Sequence, residues 1–193
     1  MADNAETPNI RHTTDRSSGP APAARALRVA TIIVTVAVGM FAALNIHELG
    51  HTAVAWLAGD HHASYELRCA PAGFGCNHFD ASGMSVPSKL AVCCGGCLVT
   101  QIIAWSLVLV RRRAGRRWRL VLTPLIAVFA VDLLLQFLQA IFTPLPEYDL
   151  TKVDFTAAAT LLDWSQSFSL VVFVTGTLAY IAVWVRLGYR SRP

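Results

Sequence analysis

Four long apolar runs dominate the pattern of hydrophobic and polar positions along this chain. They cover about residues 29–58, 86–110, 120–142 and 161–187. At a rise of about 1.5 Å per residue, each run is long enough as a helix to cross a hydrocarbon layer of about 30 Å. The fourth run is the least clean, because Asp163 and Gln166 lie near its start. The pattern predicts an all-α membrane protein with about four transmembrane helices.

The polar segments that flank these runs predict the domain organisation. Residues 1–26 are polar and rich in Pro, Ser, Thr and Ala, which is typical of a disordered tail. Residues 27–188 form the predicted polytopic membrane domain, and residues 189–193 form a second short tail. Residues 59–86, between the first two runs, are rich in glycine and alternate in polarity. We expect a small outer loop or hairpin there.

The composition supports a membrane protein, since apolar residues make up 54% of the chain and charged residues only 15%. Nearly all lysine and arginine residues lie within residues 11–28, 111–119 and 186–192; the exceptions are Arg68, Lys89 and Lys152. The positive-inside rule then predicts a cell-membrane protein with both termini and segment 111–119 in the cytoplasm.

The arginine run at residues 111–119 also bears on partners. The net charge of +4 permits binding to nucleic acid. A run of arginines beside a membrane span is more typical of contact with anionic lipid. We therefore expect the lipid bilayer, and not nucleic acid, to be the partner of this segment.

A polar trio interrupts the first apolar run, in the stretch FAALNIHELGHTAVAWLAG. Polar and ionisable side chains are rare and expensive inside a membrane, so they usually mark a functional site. His47 and His51 are four residues apart and share one helix face, where two imidazoles can bind one zinc ion. Zinc lowers the pKa of a bound water toward about 7, and Glu48 lies where it can take that proton as a general base. The trio predicts zinc-dependent hydrolysis of a peptide bond; the alternative is a purely structural trio that hydrogen-bonds to neighbouring helices.

Two histidines leave a zinc site short of a third protein ligand. Four acidic residues can complete it: Asp132, Asp149, Asp154 and Asp163. Asp132 lies inside the third run, but counted from the start of each run it is about 9 Å short of the depth of His47. Asp154 is also well placed to cap a helix.

The HELGH form of the motif, together with Gly59, resembles the site-2 protease family of intramembrane zinc metalloproteases. Residues 92–105, VCCGGCLVTQIIAW, are similar to a small-residue turn of that family, although the proline of the turn is absent. The resemblance covers about residues 30–155. It implies a zinc metalloendopeptidase that cuts a membrane-anchored protein in or near its span.

The same resemblance points to one carboxylate. Residues 143–152, TPLPEYDLTK, are similar to the Pro-x-Pro-x-x-Asp-Gly segment that supplies the third zinc ligand in the family. Asp149 matches the aspartate, while Leu150 replaces the glycine. The resemblance therefore implies His47, His51 and Asp149 as the metal ligands.

Two other functions remain open from the sequence. One is a non-proteolytic zinc-binding membrane protein of the same fold, which the departures from the family pattern favour. The other is a small transporter whose polar pathway runs through Asn45, His47, Asp132 and Gln136.

Cysteines and loop histidines add secondary predictions. Cys69 and Cys76 lie in the outer segment and can form a disulfide if that side is oxidising. We interpret Cys93, Cys94 and Cys97 as small residues for close helix packing. The remaining histidines of the outer segment are expected to be solvated; they are His61, His62 and His78.

Overall fold

The computed structural model describes residues 22–69, 73–143, 145 and 154–190. The elements in chain order are α1 (Pro22–Leu57), β1 (Ser64–Cys69), β2 (Gly73–His78), α2 (Val86–Arg113), α3 (Arg116–Phe142), α4 (Asp154–Leu161) and α5 (Gln166–Arg190). By length and composition, α1, α2, α3 and residues 166–187 of α5 can each span a membrane. The predicted all-α membrane fold with four spans is confirmed.

The outer segment between the first two spans contains a β-hairpin. Strands β1 and β2 pair antiparallel, with Ser64 opposite His78 and Cys69 opposite Gly73. The prediction of a loop or hairpin at this position is therefore confirmed as a hairpin.

The helix of the fourth apolar run begins at Gln166, and a separate short helix precedes it. The short helix α4 ends at Leu161, and Asp163 then adopts a left-handed backbone with φ of 54° before α5 begins at Gln166. Aspartate tolerates this conformation better than most residues do. The break lets α4 pack against α2 and α3 as a separate element. At the other end of the chain, α1 begins at Pro22, inside the segment predicted as a tail.

Helices α1 and α2 meet through glycines. A Cβ placed on Gly50 would lie 2.6 Å from the carbonyl oxygen of Gly95 and 2.9 Å from Cα of Gly96. Only glycine allows two helix backbones to approach this closely. The CCGGC segment thus provides close helix packing through its glycines.

The span α5 is attached to the bundle by aromatic and polar contacts. The indole rings of Trp105 and Trp184 stack with centroids 5.2 Å apart. The hydroxyl of Tyr180 lies 2.7 Å from both the side-chain oxygen of Gln101 and the carbonyl oxygen of Ala130. These contacts tie α5 to α2 and α3.

The hairpin is seated on the second half of α1. Tyr65 on β1 donates a hydrogen bond to the side-chain oxygen of Asn45. The hydroxyl of Thr52 donates to the carbonyl of Ser64 over 3.3 Å. Gly75 on β2 has φ of 77°, which suits glycine, and its Cα faces Asn45 closely enough that an added Cβ would lie 3.3 Å from the side-chain oxygen. The hairpin therefore lies against the helix turn that carries the polar trio.

Candidate metal centre

Three donor atoms converge where α1 meets α4. Nε2 of His47 lies 2.9 Å from Oδ2 of Asp154, and Nε2 of His51 lies 3.2 Å from the same oxygen. The two Nε2 atoms are 3.1 Å apart. The i, i+4 spacing thus brings both imidazoles to one point, as the sequence pattern predicts. The carboxylate that meets them belongs to the first residue of α4.

The other nitrogen of each imidazole is held by an acceptor. Nδ1 of His47 lies 3.0 Å from Oδ2 of Asp132 on α3, and Nδ1 of His51 lies 2.6 Å from the carbonyl oxygen of Val92 on α2. Each of these oxygens is placed to accept a hydrogen bond from Nδ1, which favours the tautomer with the proton on that nitrogen. A neutral ring then has its lone pair on Nε2. Both histidines are consequently prepared to ligate through the nitrogen that faces Asp154.

The size of this triangle fits a small tetrahedral cation. Ligand atoms about 2.0–2.1 Å from a tetrahedral zinc ion lie roughly 3.3 Å from each other. The three edges here measure 2.9, 3.1 and 3.2 Å. Two imidazoles and one carboxylate also form a common donor set for zinc. The residues present therefore fit a zinc ion.

His47 and Asp132 lie at the same depth in the bundle. Each is ten residues before the last residue of its helix, Leu57 for α1 and Phe142 for α3, or about 15 Å along the axis. The predicted difference of about 9 Å in depth is wrong. That count starts at the ends of the apolar runs near the arginine-rich α2–α3 connection, here called the arginine side. It is unreliable because α1 begins at Pro22, several residues before its apolar run. The contact of His47 with Asp132 shows that the two residues lie side by side in the bundle.

Asp132 contacts one histidine at the nitrogen that faces away from Asp154. Its Oδ2 also accepts a hydrogen bond of 2.6 Å from the hydroxyl of Thr100, a fully buried residue on α2. This carboxylate is therefore placed to orient His47 and not to complete the triangle. The sequence analysis identifies Asp132 as an acidic residue inside the third apolar run. It does not predict that Asp132 contacts His47.

Glu48 faces a cavity beside the triangle. The cavity has a volume of about 650 Å³, and its wall includes His47, Glu48, His51 and Asp154. The side-chain amide of Asn77 on β2 donates a hydrogen bond to Oε2 of Glu48. Glu48 is thus separate from the three converging atoms and open to the space where a ligand can lie.

Gly96 on α2 packs directly against both imidazole rings. A Cβ at this position would lie 2.5 Å from Nε2 of His51 and 2.6 Å from Nε2 of His47. Any larger residue would displace the rings. The second glycine of CCGGC therefore has a direct role in shaping the centre.

The remaining carboxylate candidates divide into two cases. Asp149 lies outside the residues that the structure describes, so its predicted role as third ligand stays a prediction. Asp163 lies exposed between α4 and α5, away from the histidines. Of the candidates that are described, only Asp154 joins the two Nε2 atoms.

Cys97 lies close to this centre as well. One ligand atom from each of His47, Cys97 and Asp154 lies within 4.8 Å of the other two. Its side chain is 4% exposed and its thiol is free. The sequence analysis treats Cys97 as a packing residue, and its nearness to the donors is an additional finding.

The outer histidines do not form a second centre within the described ranges. His61 packs edge-on against Trp56, and His78 lies 3.8 Å from a carboxylate oxygen of Glu66. Cys76 on β2 is disulfide-bonded, while Cys93, Cys94 and Cys97 on α2 carry free thiols. The side chain of Cys69 lies outside the described part, so the pairing of Cys69 with Cys76 remains a prediction.

Comparison with known proteins adds no family to these observations: no protein-family model, no curated protein and no solved structure matches this chain.

Proposed function

We propose that this chain is an intramembrane zinc metalloendopeptidase that hydrolyses a peptide bond in or near the span of a membrane-anchored protein. The observation that carries the proposal is the convergence of Nε2 of His47, Nε2 of His51 and Oδ2 of Asp154 within 3.2 Å, beside the cavity that Glu48 lines. Two imidazoles, a carboxylate and an adjacent glutamate are the groups that metal-assisted peptide hydrolysis needs. The resemblance of HELGH to site-2 proteases supports the same activity.

His47, His51 and Asp154 would hold the zinc ion. A bound zinc ion polarises the scissile carbonyl and acidifies a water molecule. Asp154 takes the ligand role in this proposal because its carboxylate meets both histidines. Asp149 remains the alternative that the sequence resemblance implies.

Glu48 supplies the proton transfers. Its carboxylate accepts a proton from the attacking water and then delivers that proton to the nitrogen of the leaving amine. The hydrogen bond from Asn77 fixes the position of the carboxylate beside the cavity. Glu48 is not one of the three converging donors, so the same residue need not serve as both ligand and base.

The arginine distribution supports a location in the cell membrane with the termini in the cytoplasm. In the described residues, the end of α2 and the start of α3 carry six arginines: Arg111, Arg112, Arg113, Arg116, Arg117 and Arg119. These side chains suit the anionic headgroups of the cytoplasmic leaflet. The proposed partners are therefore the bilayer and a membrane-anchored substrate.

Two measurements on purified full-length protein in detergent test the proposal. Elemental analysis should find about one zinc per chain in the wild type and much less in His47→Ala. Incubation with a panel of single-span proteins should yield cleavage fragments with wild type and none with Glu48→Gln. Equal zinc in wild type and His47→Ala would refute the metal centre.

A non-proteolytic zinc protein is the second candidate, and one contact favours it. The amide of Asn77 occupies Oε2 of Glu48, which reduces the capacity of that oxygen to accept a proton from water. Full zinc binding without cleavage of any substrate would support this candidate. The transporter reading gains less support, because Asn45 and Asp132 are both engaged in hydrogen bonds within the bundle.

A further inference from the structure

The donor atoms lie nearer to one end of the bundle than to the other. His47 is about 15 Å from the hairpin-side end of α1, and His51 is about 9 Å from it. On α3, Asp132 is sixteen residues from Arg116, or about 24 Å from the arginine-side end. The centre is therefore in the hairpin-side half of the bundle.

The open space lies on the same side. Apart from the centre itself, the 650 Å³ cavity is bordered by β2, by the loop after it and by the hairpin-side thirds of α2 and α3. On α3 the lining residues are Gln136 and Gln139, which are six and three residues from Phe142. A ligand that fills this cavity approaches from the hairpin.

The opposite side of the centre is filled. The hydrogen bond between Asp132 and Thr100 lies beside Nδ1 of His47 on the side away from Asp154. The next layer toward the arginine end is a packed apolar cluster built on Ala43, Ala104 and Phe129. An apolar groove between α1 and α3 reaches Asp132 from this side, but its lining includes none of His47, His51 and Asp154.

The cavity wall is suited to an unfolded backbone more than to an intact helix. Asn77, Gln136 and Gln139 contribute amide groups that can both donate and accept hydrogen bonds. A peptide segment that has left its helix carries unpaired N–H and C=O groups, which are expensive in a membrane unless they are paired. The three amides offer those partners beside the donors.

Two features favour the hairpin side as the extracytoplasmic one. All described arginines except Arg68 lie in the N-terminal half of α1, around the α2–α3 connection or near the end of α5, which is the opposite side. Cys76 on β2 is disulfide-bonded, and structural disulfides persist in oxidising compartments.

We infer that the substrate is a single-span protein cut in the extracytoplasmic half of its span, through an unwound segment that enters from the hairpin side. This inference rests on the proposed peptidase function and adds the region of the substrate that is cleaved. The short product then leaves on the hairpin side, while the longer part of the span stays in the bilayer.

Cysteine accessibility tests the route of entry. Gln139→Cys is compared with Leu135→Cys, one helix turn away, in a background in which Cys93, Cys94 and Cys97 are alanine. Gln139 lines the cavity, whereas Leu135 is 56% exposed beside an apolar groove between α1 and α3. A membrane-impermeant thiol reagent applied to sealed vesicles from the hairpin side should label Gln139→Cys and leave Leu135→Cys unlabelled. Labelling of Gln139→Cys from the arginine side alone would overturn the inference.

The position of the cut tests the inference directly. Wild-type protein is reconstituted with zinc and a panel of single-span proteins, and the cleaved bonds are mapped by mass spectrometry. We expect bonds within about ten residues of the span end that faces the hairpin, by the depth of His47. Cleavage in the arginine-side half would overturn the inference while leaving the peptidase proposal intact. A third outcome is that zinc binds and Gln139→Cys is labelled as expected, but no substrate is cleaved. This outcome would overturn the peptidase proposal and the predicted position of the cut, and it would support access to the cavity from the hairpin side.

Discussion

Oδ2 of Asp132 lies 3.0 Å from Nδ1 of His47, and the same oxygen accepts a hydrogen bond from the hydroxyl of Thr100. Carboxylates that hold the far nitrogen of a metal-binding histidine fix its tautomer and its orientation, and their loss commonly weakens metal binding about 10–100-fold. The pair joins α1 to α3 inside the bundle.

Asp132→Asn should therefore weaken zinc binding by about 10–100-fold although the two side chains have nearly the same shape. An amide oxygen in the place of Oδ2 would meet both Thr100 and Nδ1 of His47 without the negative charge of the carboxylate, so its hydrogen bond to the ring would be weaker. Competition with a chelator measures the affinity. Asp163→Asn is the matched control, because Asp163 is exposed and asparagine accepts its left-handed backbone. Equal affinity in wild type and Asp132→Asn would exclude the orienting role.

Asp154→Asn should reduce zinc affinity more than Asp132→Asn does, because it weakens one of three ligands and not an orienting residue. The same chelator titration compares it with Asp149→Asn. We expect Asp149→Asn to bind zinc as wild type does. The reverse result would assign the third ligand to Asp149, as the resemblance to site-2 proteases implies.

Glu48→Gln should retain zinc and lower the cleavage rate by at least about 10²-fold, because glutamine cannot accept the proton of the attacking water. Zinc content and fragment yield are measured on the same preparation. Cleavage at the wild-type rate would show that another group, or a contaminating protease, performs the hydrolysis.

Gly96→Ala should destabilise the protein by about 1–3 kcal/mol through overpacking and should lower zinc affinity, because the new methyl group meets both imidazole rings. Thermal unfolding in detergent and zinc titration measure the two effects. Gly83→Ala is the control, since nothing lies within 4 Å of a Cβ at that position. Similar behaviour of the two variants would mean that α2 can shift away from the histidines at little cost.

Residues 111–119 should face the cytoplasm, with the hairpin on the other side of the membrane. Reporter fusions at the α2–α3 connection and after α5 should both give the cytoplasmic signal. A single cysteine at Ser82, in the exposed segment that follows β2, should react with an impermeant reagent added outside the cell. A cytoplasmic Ser82 would reverse the proposed orientation.

The spans, the hairpin and the histidine pair could be predicted because each depends on local spacing. Apolar runs of about 20 residues predict spans, and a separation of four places His47 and His51 on one helix face. The break at Asp163 was harder to predict, because hydropathy averages over a window longer than α4.

The partners of the histidines depend on how separate helices align, which no local pattern contains. Counting residues from the arginine side places Asp132 too shallow in the membrane to reach His47. Counted from the hairpin side, each of the two residues is ten positions from the end of its helix, and this equal distance agrees with their contact. Asp154 seemed to be a capping residue because the sequence does not indicate that α4 turns back against α2.

The contact of Gly50 with Gly95 and Gly96 also determines which part of the protein can change shape during turnover. Two backbones that already touch cannot move closer, and separating them would carry His47 and His51 away from Val92 and Asp132. If the chain acts as the proposed peptidase, a substrate would be accommodated by displacement of β2, which lies along one wall of the cavity. For the proposed peptidase we therefore expect α1 and α2 to keep their relative position and the hairpin to move when a substrate enters.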